Sequence, residues 1–198
     1  MNVENKESEA CRDIIVFDKK MKELFGNNPL RKALIGKYGE ILVINEFKRR
    51  GFDVKTAGNL TSYDLIVNGY KIEVRTSEVK RERAFPEKIR AWGWKLQTRN
   101  RSKEPKEIKY NFIILVQLYD DWTKFKLYLL SREQIEKMKE TYFTGYQTVA
   151  RAIYLFQNNL KEAVATDKHK MITRTCIKFN KNPSKFMLDW TLIRKILI

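Results

Sequence analysis

The fourteen residues from Ser62 to Arg75 (SYDLIVNGYKIEVR) constrain this chain more than any other segment. Asn68-Gly69 lies between two runs rich in β-branched and aromatic residues. An Asn-Gly pair in that setting is the strongest short-range signal for a two-residue hairpin loop, because both positions must adopt positive φ. A loop there predicts the register: Val67 opposite Tyr70, Ile66 opposite Lys71, Leu65 opposite Ile72, Asp64 opposite Glu73 and Ser62 opposite Arg75. Side chains alternate along a strand. One face therefore carries Tyr63, Leu65, Val67, Tyr70, Ile72 and Val74 and belongs to the core; the other carries Ser62, Asp64, Ile66, Lys71, Glu73 and Arg75. The same register sets Asp64 beside Glu73, with Cβ atoms about 5 Å apart, and like charges so placed destabilise a sheet. A divalent cation offsets the repulsion, since two carboxylates, a backbone carbonyl and water make a typical Mg²⁺ site. The neighbouring Lys71 and Arg75 offset it equally well, as a salt-bridged exposed face.

A helix upstream adds a third acid. Asn28 as N-cap and Pro29 at the first helical position open it, and Gly51 closes it after Lys48-Arg49-Arg50. Leu34, Tyr38, Ile41, Leu42 and Phe47 are its expected apolar stripe. Early in it stands Gly36-Lys37-Tyr38-Gly39-Glu40. Two glycines inside a helix cost about 1 kcal/mol each, which a helix tolerates where a backbone or ligand approaches closely. Glu40 then reaches the carboxylate pair directly or through water, or is one more solvated helix residue.

The ordered set Gly36, Gly39 and Glu40, then Asp64, then Glu73-Val74-Arg75 resembles the PD-(D/E)XK nuclease superfamily, over roughly residues 30–80. The resemblance implies an α/β restriction-endonuclease-like core, a central mixed β-sheet flanked by helices. It also implies Mg²⁺-dependent hydrolysis of DNA phosphodiesters, with Mn²⁺ a possible substitute. Asp64, Glu73 and the Val74 carbonyl would hold the metal, and Glu40 would support them. The family places Lys where this chain has Arg75. Arginine stabilises charge but is a poor base, so Arg75 acts electrostatically, or Lys71 takes the role, or the site has decayed. Glu78-Val79-Lys80 is a rival Glu-x-Lys, but an unbroken strand gives Glu78 the parity of Ile72 and Val74, so Glu73 is preferred.

Charge points to the same kind of partner. Lys and Arg number 40 against 24 Asp and Glu, a net +16, which fits a polyanion. Residues 80–109 alone hold a net +7, following directly on the acidic pair. Lys37, Lys71, Lys95, Gln97, Arg99 and Arg101 are the expected DNA contacts, while Trp92 and Trp94 are expected to pack in the core. Trp94-Lys95-Leu96-Gln97 also resembles a strand that borders the active site in the family. Arg174 and Lys178 extend the basic surface. The single histidine, His169, excludes nucleases built on several histidines, and no Gly-rich phosphate loop is present. Cys11 and Cys176 form no C-x-x-C pair, which favours a reducing, cytoplasmic location. No apolar run reaches the length of a membrane span, and the polar N-terminal ten residues lack signal-peptide character.

The rest of the chain divides as follows: a helical segment within 1–27 (a helix over 8–25, capped by Ser8), a nuclease-like core over 28–143 and a C-terminal extension over 144–198. The core includes strands at 52–56, 110–118 and 125–130 and a capping box from Ser131 to Gln134. The extension is expected to be α-rich, with a helix over 147–163, a basic strand over 171–179 and a final helix over 186–198. The functional expectation is a metal-dependent DNA endonuclease, restriction-like or serving repair, working on double-stranded or branched DNA as a homodimer. A Holliday-junction resolvase and a catalytically decayed, DNA-binding nuclease fold are the alternatives.

Overall fold

The hairpin forms as its turn chemistry requires. In the computed structural model Asn68 has φ 46° and Gly69 φ 86°, joining β2 (Leu65–Val67) to β3 (Tyr70–Glu78) in the register Leu65–Ile72, Ile66–Lys71 and Val67–Tyr70. The structure describes residues 3–25, 30–58, 61–81, 88–96, 109–120, 122–139, 152–167, 172 and 174–197. Around the hairpin stand β1 (Val54–Thr56), β6 (Phe112–Leu118) and β7 (Phe125–Ser131), in the order β1-β2-β3-β6-β7. β3 and β6 are parallel and the other pairs antiparallel, so the sheet is mixed. The parallel pair is the buried centre, and β6 reads as a continuous apolar run because both its faces are covered.

Helices cover one face. α2 (Arg31–Lys48) lays Ile35, Tyr38, Val43, Ile44 and Phe47 against Ile72, Val74, Ile114 and Val116. Leu34, Ile41 and Leu42 are only half-buried, so the buried stripe is rotated from the expected one. α2 begins at Arg31 rather than Pro29: Leu30 is its N-cap, without a side-chain cap, and its carbonyl accepts the first helical N–H, from Leu34. Asn28 and Pro29 lie outside the described residues. The helix ends where expected, with Gly51 in the left-handed region at φ 81°. α1 (Val3–Phe25) starts upstream of Ser8, which is therefore interior to it.

An ion network clamps α1 to the sheet. The Arg31 guanidinium contacts Asp18 of α1 and both carboxylate oxygens of Glu78, and lies 4.9 Å from the centroid of the Trp122 ring. Asp18 also pairs with Lys22 at 2.9 Å. Glu78 is thus committed on the helix-covered face, as its parity predicts. Arg31→Ala leaves the Asp18 and Glu78 carboxylates without this partner. Because Asp18 keeps Lys22 and Glu78 is partly solvated, the expected loss is about 2 kcal/mol, below the range for fully buried pairs; a shift of the urea midpoint measures it.

The opposite face is covered by a second sheet, β4 (Lys80–Arg81), β5 (Arg90–Lys95) and β8 (Ala152–Phe156), in the order β4-β5-β8. Trp92 and Trp94 are 5% and 1% exposed and donate their indole N–H to the carbonyls of Leu118 and Val116, at 2.7 and 3.0 Å. The tryptophans inside the basic excursion therefore pack in the core, as expected.

β8 corrects the helix expected over 147–163: the short apolar run Ala152–Phe156 completes a sheet with the tryptophan strand. The helix of this region, α4, is confined to Leu160–Thr166. The basic strand expected over 171–179 is instead helix α5 (Arg174–Lys181), because Cys176 and Phe179, three residues apart, share its buried face. The final helix, α6 (Trp190–Leu197), starts four residues later than expected. Asp189 sets its start by accepting the N–H groups of Thr191 and Leu192, at 2.8 and 3.3 Å. Before it lies a 3₁₀ turn, Pro183–Phe186. The capping box at the start of α3 (Arg132–Lys139) forms as read: Gln134 Oε1 accepts the Ser131 N–H at 2.8 Å, and Ser131 Oγ accepts the Gln134 N–H at 3.3 Å. Among the described residues no helix is long and apolar enough to cross a membrane.

Candidate acidic site at the hairpin

Asp64 does not sit opposite Glu73 in the ladder. Its N–H donates to the Ile72 carbonyl at 3.0 Å, so Asp64 and Leu65 together face Ile72, as in a β-bulge. The bulge ends the β2–β3 ladder, and the Asp64 carboxylate continues it: Oδ2 accepts the Val74 N–H at 2.7 Å. The Lys71 carbonyl bonds to Asn111, beside β6. By strand alternation the even-numbered Val74 turns its N–H and C=O the other way, toward the edge that β2 has vacated. Asp64 and the Val74 carbonyl therefore share that edge.

Glu73 lies on the face of β3 opposite Ile72 and Val74, is 5% exposed, and contacts the Arg75 guanidinium. Burial, then the nearby charges of Asp64 and Glu40, push its carboxyl up to about 7, against the opposing pull of Arg75. Burial, and to a lesser degree Glu40, also raise Asp64 against the Val74 hydrogen bond. The three carboxylates thus repel one another beside the middle of α2. Glu40 pairs with Lys37 at 2.9 Å on an open surface.

α2 reaches this place because of one glycine. A Cβ built on Gly39 lies 1.8 Å from Thr76 Oγ1 and 2.8 Å from Thr76 Cβ, so the helix backbone packs directly on the Thr76 side chain of β3. Gly36 has no atom within 4 Å of such a Cβ and has no packing reason to be glycine.

Of the expected site residues, Glu40, Asp64, Glu73, Val74 and Arg75 come together, with Lys37 beside Glu40. Lys71 instead lies with Nζ 5.3 Å from the Tyr63 ring centroid. Lys95 is in β5, while Gln97, Arg99 and Arg101 lie outside the described residues. Lys178 is exposed on α5. Sequence reasoning missed Tyr110. Its buried hydroxyl has no hydrogen-bond partner among the described groups, and burial together with the charge of Glu73 pushes it up to about 12. In sequence it was only the first residue of an apolar run.

Among the described residues no group of three or more acidic, histidine or cysteine side chains is placed to hold a metal ion; Arg75, the Val74 N–H and Lys37 engage the three carboxylates. The donor set still suits Mg²⁺. Two carboxylates and a carbonyl are hard oxygen ligands, and a cation that keeps several waters needs few from the protein. A buried Glu73 pushed toward neutrality is also a site where added positive charge is stabilising.

The pH dependence follows from Glu73. Its ordinary value is 4.5 and its folded value about 7. Between these values the native state holds a proton that the unfolded chain has lost, so stability falls as pH rises through the window. The loss is on the order of 3 kcal/mol. Urea unfolding at pH 5 and pH 8 without divalent cations should reveal it. Glu73→Gln should remove most of the difference; equal slopes in the two proteins would assign it elsewhere.

No protein-family model matches the chain. No curated protein matches it in sequence. Among solved structures it is similar to a bacterial homing endonuclease, with TM-score 0.43 and 18% identity, over 83% of this chain and 92% of that one.

Proposed function

We propose that the chain is a metal-dependent DNA endonuclease of the PD-(D/E)XK kind, acting on double-stranded or branched DNA as a homodimer. The observation that carries this reading is the Asp64 carboxylate bonded to the Val74 N–H on the edge of β3 that β2 vacates, with the charges of Asp64 and Glu40 felt at the buried Glu73. Asp64, Glu73 and the Val74 carbonyl would hold Mg²⁺ or Mn²⁺, and Glu40 would support them. Such a bound metal supplies charge stabilisation at the scissile phosphate and a more acidic water. Glu73 must exchange Arg75 for the cation. The released guanidinium stays protonated and donates to phosphate oxygens without serving as a base. Lys37, beside Glu40, and Lys71, on the hairpin against Tyr63, would neutralise backbone phosphates, so binding weakens steeply with salt.

The test is cleavage of supercoiled plasmid, duplex oligonucleotide, four-way junction and RNA, each with Mg²⁺, with Mn²⁺ and with chelator. The reading expects metal-dependent nicking or linearisation of plain duplex. Junction-restricted cleavage would assign the chain as a resolvase instead. One observation favours a second reading, a decayed fold that binds DNA without cutting it: Arg75 already neutralises Glu73. Cleavage that appears only with Arg75→Lys would establish it, and cleavage by the natural chain excludes it.

A further inference from the structure

α1 carries an inward stripe that the core covers and a second, outer stripe of which the core takes up only Ile14 at the edge. Cys11, Ile15 and Asp18 face inward; Cys11 and Asp18 are 8% and 6% exposed. Beside them Ala10, Ile14, Phe17, Met21 and Leu24 recur at intervals of four and three, the spacing of a two-helix seam. Their exposure rises away from the core: Ile14 and Met21 are half-buried, Phe17 is 42% exposed and Leu24 64%. Of the seven exposed large apolar side chains among the described residues, Val16, Phe17 and Leu24 lie on α1, and Leu30 stands just before α2. The Arg31 clamp on Asp18 fixes the orientation of α1, so the outer stripe is presented by a docked helix.

We propose that this stripe binds a second copy of the chain, with the two α1 helices antiparallel about a two-fold axis near Phe17. The flanking charges select that occupant and that direction. Asp13 and Lys20 are both exposed and border the stripe on its solvent side, one four residues before Phe17 and the other three after. In an antiparallel pair centred on Phe17, Asp13 of each copy meets Lys20 of the other, so the surface is self-complementary, as an isologous interface must be. A parallel pair sets the two Asp13–Lys20 flanks on opposite sides of the seam and leaves these charges without a partner across it. Residues 10–24 span about 20 Å of helix at 1.5 Å per residue, a small contact that gives a concentration-dependent dimer. The proposal rests on the homodimer in the reading above and supplies its surface, but its test uses no DNA and no metal.

Sedimentation velocity of the full chain over a wide concentration range tests it, with circular dichroism to confirm that each variant stays folded. Dimerisation is expected, weakened at least ten-fold by Phe17→Glu and several-fold by Asp13→Lys or Lys20→Asp alone. The double variant Asp13→Lys/Lys20→Asp restores the pairing with its signs exchanged and should return to the natural affinity. A chain that stays monomeric throughout, a dimer indifferent to Phe17→Glu, or a double variant no better than its singles would overturn the proposal. A loss of cleavage with dimerisation intact would count against the nuclease reading alone.

Discussion

Asp64→Asn is expected to abolish metal-dependent cleavage while leaving the fold and DNA binding intact. The Asn side chain keeps an oxygen that can accept the Val74 N–H, so the edge of β3 is not left with an orphaned donor. What it removes is the negative charge. If that charge contributes the several kcal/mol ascribed to metal-assisted phosphoryl chemistry, the loss is about a thousand-fold or more. Glu73→Gln should behave alike, since an amide can still face Arg75. The alanine variants should lose cleavage equally but pay in stability at Asp64, where the Val74 N–H loses its acceptor. DNA affinity should hold or rise slightly in every case, because an anion that repels phosphate has gone. Plasmid cleavage and a parallel binding titration read the two effects separately. Cleavage that survives at both positions would overturn the site.

Gly39→Ala carries the second large effect. The added methyl would lie 1.8 Å from Thr76 Oγ1 and 2.8 Å from Thr76 Cβ, and rotating the Thr76 side chain does not move its Cβ. α2 must shift off β3, at an expected cost of about 3 kcal/mol by analogy with overpacked cores. Because Glu40 is the next residue, the shift also carries the third acid away from Asp64 and Glu73, so activity should fall beyond what unfolding explains. Gly36→Ala is the internal control. With open space around its Cβ, it should gain up to about 1 kcal/mol from helix propensity. Thermal denaturation of the pair measures both, and equal behaviour would remove the close approach as the reason for Gly39.

The legible parts of the sequence were those in which local chemistry decides. Asn68-Gly69 fixed the hairpin loop and three register pairs, Gly51 the end of α2, and Ser131 with Gln134 the start of α3. Alternation along β3 separated Glu73 from Glu78, and the structure finds Glu78 committed to Arg31. What stayed hidden depended on distant partners. The bulge at Asp64 arises where the ladder gives way to a side-chain bond, and no residue type announces it. Ala152–Phe156 is apolar on both faces, which does not separate a strand from a buried helix until β5 is known to lie beside it. Arg174–Lys181 mixes basic and apolar residues in a way that suited a strand, and only the joint burial of Cys176 and Phe179 decides for a helix. Tyr110 joins the site from across the sheet, through a parallel pairing that sequence spacing does not encode.

The most direct measurement is a Mn²⁺ titration of the metal-free chain, followed by electron paramagnetic resonance and competed with Mg²⁺. Asp64→Asn and Glu73→Gln should be titrated in parallel. The account predicts saturable Mn²⁺ uptake by the natural chain, displaced by Mg²⁺ and lost in both variants. A natural chain that takes up no Mn²⁺, or variants that bind it as the natural chain does, would contradict the assignment of these carboxylates as a metal site.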